Sequence, residues 1–201
     1  MKYLQEIIYC IIFLFACLLT LSCNTPEHNP KPRMYPKINF PEYKYQNFST
    51  TYCPFTFQFP DYWEIIKDTS FFGEKPVHEC WFNMEMKTLY GTIHCSYYNI
   101  TTKKELRKYL KDAYKMAREH QIKANYIDEI PIVKPNHISG MLYNIEGPTA
   151  SPFQFYLTDS LHHFFRGSLY FNAQTRPDSL KPITEFVKSD IMVMLNSFEW
   201  K

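Results

Sequence analysis

Apolar and polar residues alternate over CPFTFQFP, residues 53–60, with Phe55, Phe57 and Phe59 on one side and Thr56 and Gln58 on the other. Successive side chains of a strand point to opposite faces, so this period of two predicts a half-buried strand. Pro60-Asp61 interrupts it, residues 62–66 resume an apolar segment, and a loop with Gly73 and Pro76 follows. CWFNMEMK, residues 80–87, sets Trp81, Asn83 and Glu85 against Phe82, Met84 and Met86, and residues 88–98 read as a further strand. The period then changes. Leu106, Tyr109, Leu110, Ala113, Tyr114 and Ala117 fall on one face of a helix ending near His120. Thr102 and Glu105 have the spacing of a capping box at its start. Strands are expected at residues 124–130, 137–146, 152–158 and 162–172, with Gly147-Pro148 and Asp159-Ser160 at turns. A second helix is expected from Asp178 or Ser179, burying Ile183, Phe186, Val187, Ile191, Met194 and Leu195. Pro182 is placed in its first turn, where a missing amide has no intrahelical partner to lose.

These elements follow one another through short connections with few βαβ crossovers. The expected fold is therefore α+β, an antiparallel β-sheet covered by two main helices. The spacing Phe57, Pro60, Trp63 and the closing SFEW, residues 197–200, resemble the Mog1/PsbP-like sandwich.

Upstream the pattern is of another kind. Lys2 precedes an apolar run over residues 7–21 that ends at Ser22-Cys23 and gives way at once to polar Asn24-Thr25. Such a run reaches roughly 22 Å as a helix, short of the ~30 Å of a bilayer core, so it reads as a secretory signal rather than a span. A small residue directly before Cys23 suggests a lipoprotein signal over residues 1–22, with Cys23 diacylated as the first residue of the mature chain. Thr20-Leu21-Ser22-Cys23 fits the usual pattern loosely and Leu14-Phe15-Ala16-Cys17 fits it better, but the latter leaves apolar LLTLS outside the signal, and the change in polarity favours Cys23. Two acyl chains suffice for stable anchoring where one is marginal. Residues 23–37 carry Pro26, Pro30, Pro32 and Pro36 and read as an extended tether, with residues 38–201 as a single globular domain.

Composition narrows the function. A chain of 201 residues with 22 Lys+Arg against 20 Asp+Glu carries no basic field for nucleic acid. Its five glycines form no phosphate-binding loop. An aromatic content of 18% is enough to bury a real core. Cys10 and Cys17 leave with the signal and Cys23 takes lipid, so Cys53, Cys80 and Cys95 remain in the domain. An odd number in an exported protein predicts one disulfide and one free thiol. Cys53 and Cys80 each begin a strand after a loop and are the first choice for the pair, and Cys95, inside an apolar strand, reads as a buried thiol.

No catalytic, cofactor or metal constellation stands out. His162 and His163 beside Asp159 point to opposite faces of a regular strand and cannot both meet one metal. Glu64, Glu79 and Glu85 lack paired spacing. Ser139 and Ser168 sit in no nucleophile elbow, and His78 next to Cys80 reads as the neighbour of a disulfide. Asp159-Ser160-Leu161 and Asp178-Ser179-Leu180 match short glycosylation acceptors, though a turn and a helix cap account for the same letters. Arg166 lies among Phe164, Phe165, Leu169, Tyr170 and Phe171, across the turn from Asp159. It is expected either in a structural ion pair with Asp159 or, with Tyr170, in a patch for a protein partner. The density of rings over residues 153–171 requires some to lie on the second face of the sheet, beneath a helix or against a partner.

Longer stretches carry a family resemblance. SPFQFYLTDSLHHFFRGSLYFNA (151–173), PDSLKPITEFVKSDI (177–191), the closing FEWK, PKPRMYPKINFPEYKYQ (30–46), Cys80-Trp81 and residues 119–125 together resemble the gliding motility lipoprotein GldD family of Bacteroidetes. The resemblance implies a non-enzymatic, lipid-anchored envelope protein, needed for gliding and associated with the type IX secretion apparatus. Its implied partners are proteins of that machinery and the membrane, through the lipid. Asn24-Thr25-Pro26-Glu27 lacks the acidic run of a surface-export signal, so a periplasm-facing position is expected. The alternative is a periplasmic module binding a lipid, glycan or peptide in an aromatic groove.

Overall fold

The computed structural model describes residues 3, 5–9, 11, 37–69, 75–173 and 176–201. The chain divides into two compact units, Met1–Lys37 and Ile38–Lys201. In the first, residues 3, 5–9 and 11 are helical. Cys23 and the rest of the expected signal and Pro-rich tether lie outside the described residues. No helix among the described residues is long and apolar enough to cross a membrane.

The second unit runs β1 (Tyr45–Ser49), β2 (Phe55–Pro60), β3 (Glu64–Lys67), β4 (Phe82–Met86), β5 (Gly91–Asn99) and α1 (Lys103–Arg118). It continues with β6 (Tyr126–Lys134), β7 (Ile138–Glu146), β8 (Phe153–Thr158), β9 (His163–Phe171), α2 (Pro177–Ser197) and β10 (Glu199–Trp200). Seven strands form one antiparallel sheet in the order β3-β4-β5-β9-β8-β7-β6, and β1-β2-β10 form a second. The fold is thus an α+β sandwich. One face of the large sheet packs on the small sheet and α2, and the other carries α1.

Period two explains the core between the sheets. Phe55, Phe57 and Phe59 of β2 and Phe82, Met84 and Met86 of β4 are all buried there with Phe165 and Leu169 of β9 and Val187, Ile191 and Met194 of α2. Phe165 lies with its ring centroid 4.9 Å from Phe55 and 5.4 Å from Phe198. Such rings contribute through buried area and through offset or edge contacts, each Phe by roughly 1.5–3 kcal/mol. Position 167 faces the same way by alternation, and it is glycine because the Phe155 ring occupies the side-chain space; a Cβ there would come 2.3 Å from that ring. On the opposite face Tyr109 of α1 stacks on Tyr98 at 4.5 Å and meets Phe164 at 5.6 Å. Thr102 starts α1 by accepting from the Glu105 amide at 3.2 Å, and Glu105 accepts in return from the Thr102 amide at 3.0 Å. The hydroxyl and amide of Thr101 also donate to the Glu105 carboxylate and hold it below its usual range.

Several boundaries differ from the sequence expectation. β1 was not foreseen, since only Phe48 of its five residues is buried, and neither was the two-residue β10. β5 begins at Gly91, because residues 87–89 form a 3₁₀ turn and Tyr90 takes a left-handed conformation at φ 51°. Tyr114 is 46% exposed, and Ala113 and Ala117 are the residues α1 buries. α2 starts at Pro177 after an uncapped Arg176, so Pro182 lies inside the helix rather than in its first turn. Proline at the first helical position presets φ and allows the earlier start. β6 extends to Lys134 through Pro131, which an edge strand tolerates because its outward amides pair with nothing.

Two contacts fasten α2. Asp190 is fully buried on it and accepts from the Tyr45 hydroxyl at 2.7 Å and the Tyr62 hydroxyl at 2.5 Å. Burial raises the Asp190 carboxyl, and the two phenols pull it back. At the other end the last turn holds no basic residue, and Lys134 of β6 supplies the charge. Its Nζ donates to the carbonyls of Leu195 at 2.7 Å, Asn196 at 2.9 Å and Phe198 at 2.7 Å. A cation against orphan carbonyls also meets the negative end of the helix dipole. Lys134→Met should therefore lower stability by about 2 kcal/mol while keeping the stem's packing. Urea unfolding checks this, and an unchanged midpoint would show that the contact adds nothing.

Candidate functional site

The α1 face of the large sheet gathers polar side chains that the core face does not. Along β9 the alternation sends Phe165, Gly167 and Leu169 to the core and Phe164, Arg166, Ser168 and Tyr170 to the α1 face. The ladder then sets neighbours. His94 of β5 faces Ser168, Ser168 faces Gln154 of β8, and Gln154 faces Tyr143 of β7. One rung away, Ser96 faces Arg166 and Arg166 faces Tyr156. α1 covers part of this face, packing Tyr109 near Tyr98, Phe164 and Tyr156, while Ala117 lies with Tyr143 and Ile145.

Arg166 reaches toward the Gln154 rung. One of its terminal nitrogens donates to Gln154 Oε1 at 3.0 Å. Among the described residues it forms no ion pair. Burial lowers its pKa, and the electrostatic pull of Tyr170, Tyr98, Tyr143 and Asp112 works the other way. Gln154 is 2% exposed and Ser168 4%. Gln154 Nε2 and Ser168 Oγ are buried with no hydrogen-bond partner. Burial also lowers His94 and His120 and raises Tyr98 and Tyr143, so these groups stand neutral around the guanidinium at neutral pH. Two polar atoms of the cluster, one a donor only and the other a hydroxyl, are thus left unpaired beside the guanidinium.

Asp159 and Arg166 do not pair, which corrects the ion pair expected between them. Asp159 Oδ1 instead accepts the amides of Leu161 at 2.9 Å, His162 at 2.9 Å and His163 at 2.8 Å. Burial pulls its carboxyl up, but these three amides outweigh that and hold it below the usual range. The reason lies in the register. Thr158 pairs with Phe164, so Asp159 folds over the closing loop while Arg166 sits further down the ladder opposite Tyr156. Tyr170 shares the Arg166 face, half-buried, with its ring edge-on to His94 at 5.5 Å. The aromatic stretch 153–171 divides between the two faces of the sheet, with rings beneath a helix, one of the two places expected. Phe153, Phe155 and Phe165 are core, and Phe164 and Tyr156 lie with α1.

The remaining candidates are structural. Cys53 and Cys80 form a disulfide with Cα atoms 5.6 Å apart. The Cys80 amide donates to His78 Nδ1 at 3.1 Å. Cys95 is a free, buried thiol whose pKa burial pushes well up. His163 Nδ1 lies 2.6 Å from the Tyr97 hydroxyl, which burial pushes up to about 12. The His162 ring is exposed, so the two histidines do not converge. Among the described residues no group of three His, Cys, Asp or Glu side chains could hold a metal. A cleft of about 110 Å³ between the β7–β8 connection and the start of α2 is lined by Asn144, Thr149, Lys181 and Glu185 among others. It is small beside the roughly 300–1,000 Å³ of ligand pockets. The sequence reading passes over Gln154 and considers Ser168 only as a nucleophile without an elbow. Their signal was a polar letter inside the apolar runs FQFYLT and HFFRGSLYF.

The family model for gliding motility lipoprotein GldD matches residues 25–200. No curated protein matches the chain. Among solved structures, the solution structure of cyanobacterial PsbP (CyanoP) from Synechocystis sp. PCC 6803 is similar, with a TM-score of 0.47 and 11% identity over 78% of this chain and 92% of that one.

The separation of Asp159 from Arg166 is measurable. Asp159→Ala should lower stability by about 1–2 kcal/mol at neutral pH. Because the folded carboxyl is depressed, that contribution exists above its unfolded pKa and disappears as pH falls through the folded one, so the loss should shrink on acidification. Combined with Arg166→Ala, the two effects should add to within about 0.5 kcal/mol. A larger coupling in the double-mutant cycle would restore the ion pair.

Proposed function

The chain belongs to the gliding motility lipoprotein GldD family, and from that membership we infer that it is an accessory protein of the gliding machinery, acting through contacts with other envelope proteins rather than by catalysis. The match over residues 25–200 is the observation that carries this reading. In it, residues 1–22 direct export, Cys23 takes the lipid, residues 23–37 hold the domain off the membrane, and residues 38–201 face the periplasm in association with the type IX secretion apparatus. The edge strand β6 supports a role in contacts, since Tyr126, Ile130 and Val133 expose apolar surface along it.

Deletion of the gene, scored for both spreading and protein secretion, tests the reading; loss of both is expected, and a strain that spreads and secretes like its parent overturns it. In a host that does not glide, secretion is the readout. Cys23→Ser should leave the domain folded and move it from the membrane to the soluble fraction after cell breakage. Retention on the membrane by the variant would remove Cys23 as the anchor.

A further inference from the structure

We propose that Arg166, Gln154 and Ser168 form a binding site for a carboxylate on the α1 face of the large sheet. The assignment stands apart from the role in motility and is measured without it.

The argument starts from the inventory of donors. Gln154 Oε1 takes one guanidinium hydrogen of Arg166 at 3.0 Å. The rest of that fork has no acceptor among the described side chains. The amide nitrogen of Gln154 is bonded to the same carbon as Oε1, which places it beside the guanidinium. Ser168 is the cross-strand neighbour of Gln154. Polar groups of two adjacent rungs therefore lie side by side on this face, and two of them, Gln154 Nε2 and Ser168 Oγ, are buried and unpartnered. A buried polar group left unpaired is unfavourable, and a native fold places few of them together without something to bind. An oxyanion satisfies both of them and the guanidinium.

The charge around the site selects which oxyanion. Arg166 supplies one positive charge, and Asp112 is the charged neighbour opposing a second negative one. A planar monoanion with two oxygens matches a guanidinium fork, leaving its outer lone pairs for the amide and the hydroxyl. A phosphate dianion would bring excess charge into a half-buried place. Access is from the β5 side, because His94 is exposed and Ser96 and Tyr170 are half-buried there, while α1 packs on Phe164 and Tyr156 on the other side.

The full lipidated chain in detergent micelles, labelled at arginine nitrogen, is titrated with sodium acetate against sodium chloride at matched ionic strength. The Arg166 Nε–H resonance is identified by its loss in Arg166→Lys. A saturable shift with acetate is expected, absent in Arg166→Lys and at least tenfold weaker in Ser168→Ala. Ser168→Ala removes a hydroxyl with no protein partner, so without acetate it should melt no lower than the parent, which separates weakened binding from damage to the fold. If Arg166→Lys does not fold, Ser168→Ala carries the comparison. Two peptides distinguish the source of the carboxylate. Saturation by a tripeptide with a free C-terminus more tightly than by acetate, and not by its C-terminal amide, assigns a chain end; equal saturation by acetate and tripeptide assigns a small free acid. The proposal is overturned by no saturable shift, by saturation with phosphate but not acetate, or by undiminished acetate binding in Ser168→Ala.

Discussion

Phe165 of β9 packs against Phe55 and Phe57 of β2 and Phe198 beyond α2, at centroid distances of 4.9, 6.4 and 5.4 Å. This contact between the sheets sets the terms for the rest of the domain. It requires β9 to sit in the middle of the large sheet, with β5 and β8 on either side. A strand in that place has one face in the core and α1 over part of the other, so its sequence does not alternate strictly between apolar and polar. The packing also removes freedom from its neighbours. Phe155 lies where a side chain at position 167 would go, and only glycine leaves that space. The run HFFRGSLYF is the result: large rings, one glycine, and a few polar residues directed away from the core.

The polar residues follow from the size of the cover. α1 has 16 residues, about 24 Å of helix, and seven strands at about 4.8 Å span roughly 29 Å between the edges. A single helix cannot roof that face. Where it does, the sheet presents Phe164, Tyr156 and Ile145. Beside it stand Asn83 with His94, then Ser168, Gln154 and Arg166. The margin of the helix is where a buried cation can keep a path to solvent. That geometry, rather than any nearby carboxylate, accounts for an arginine between aromatic neighbours.

The strands that were legible were those whose burial is one-sided. β2 and β4 alternate because each has one face in the core, and the capping box of α1 is a local device that needs no tertiary context. β1 was hidden because its pairing with β2 runs through the backbone and only Phe48 marks it. β10 is two residues long and exists because β2 lies beside the end of α2. The Asp159–Arg166 pairing failed for a related reason. Proximity along a hairpin is readable from spacing, but which residues face each other depends on the register, and Thr158 opposite Phe164 sends Arg166 to Gln154 instead. Two polar letters within apolar strands were visible; their adjacency across the β8–β9 ladder was not.

α2 gains its place from outside itself. It lacks a side-chain cap at its start and a basic residue in its last turn, yet it closes the core. Lys134 holds its end from the far edge of the large sheet, and Asp190 holds its middle to β1 and to the turn after β2 through Tyr45 and Tyr62. The ring of Phe186 adds Phe40 at 4.5 Å and Tyr43 at 5.2 Å. The segment entering the domain is therefore fastened to α2 as well as to β2. A carboxylate is the side chain that can do this at position 190. Its two oxygens accept one phenol each, whereas asparagine would turn an amide against one of the two hydroxyl donors. Burial raises this carboxyl, and the hydrogen bonds from the two phenols work the other way.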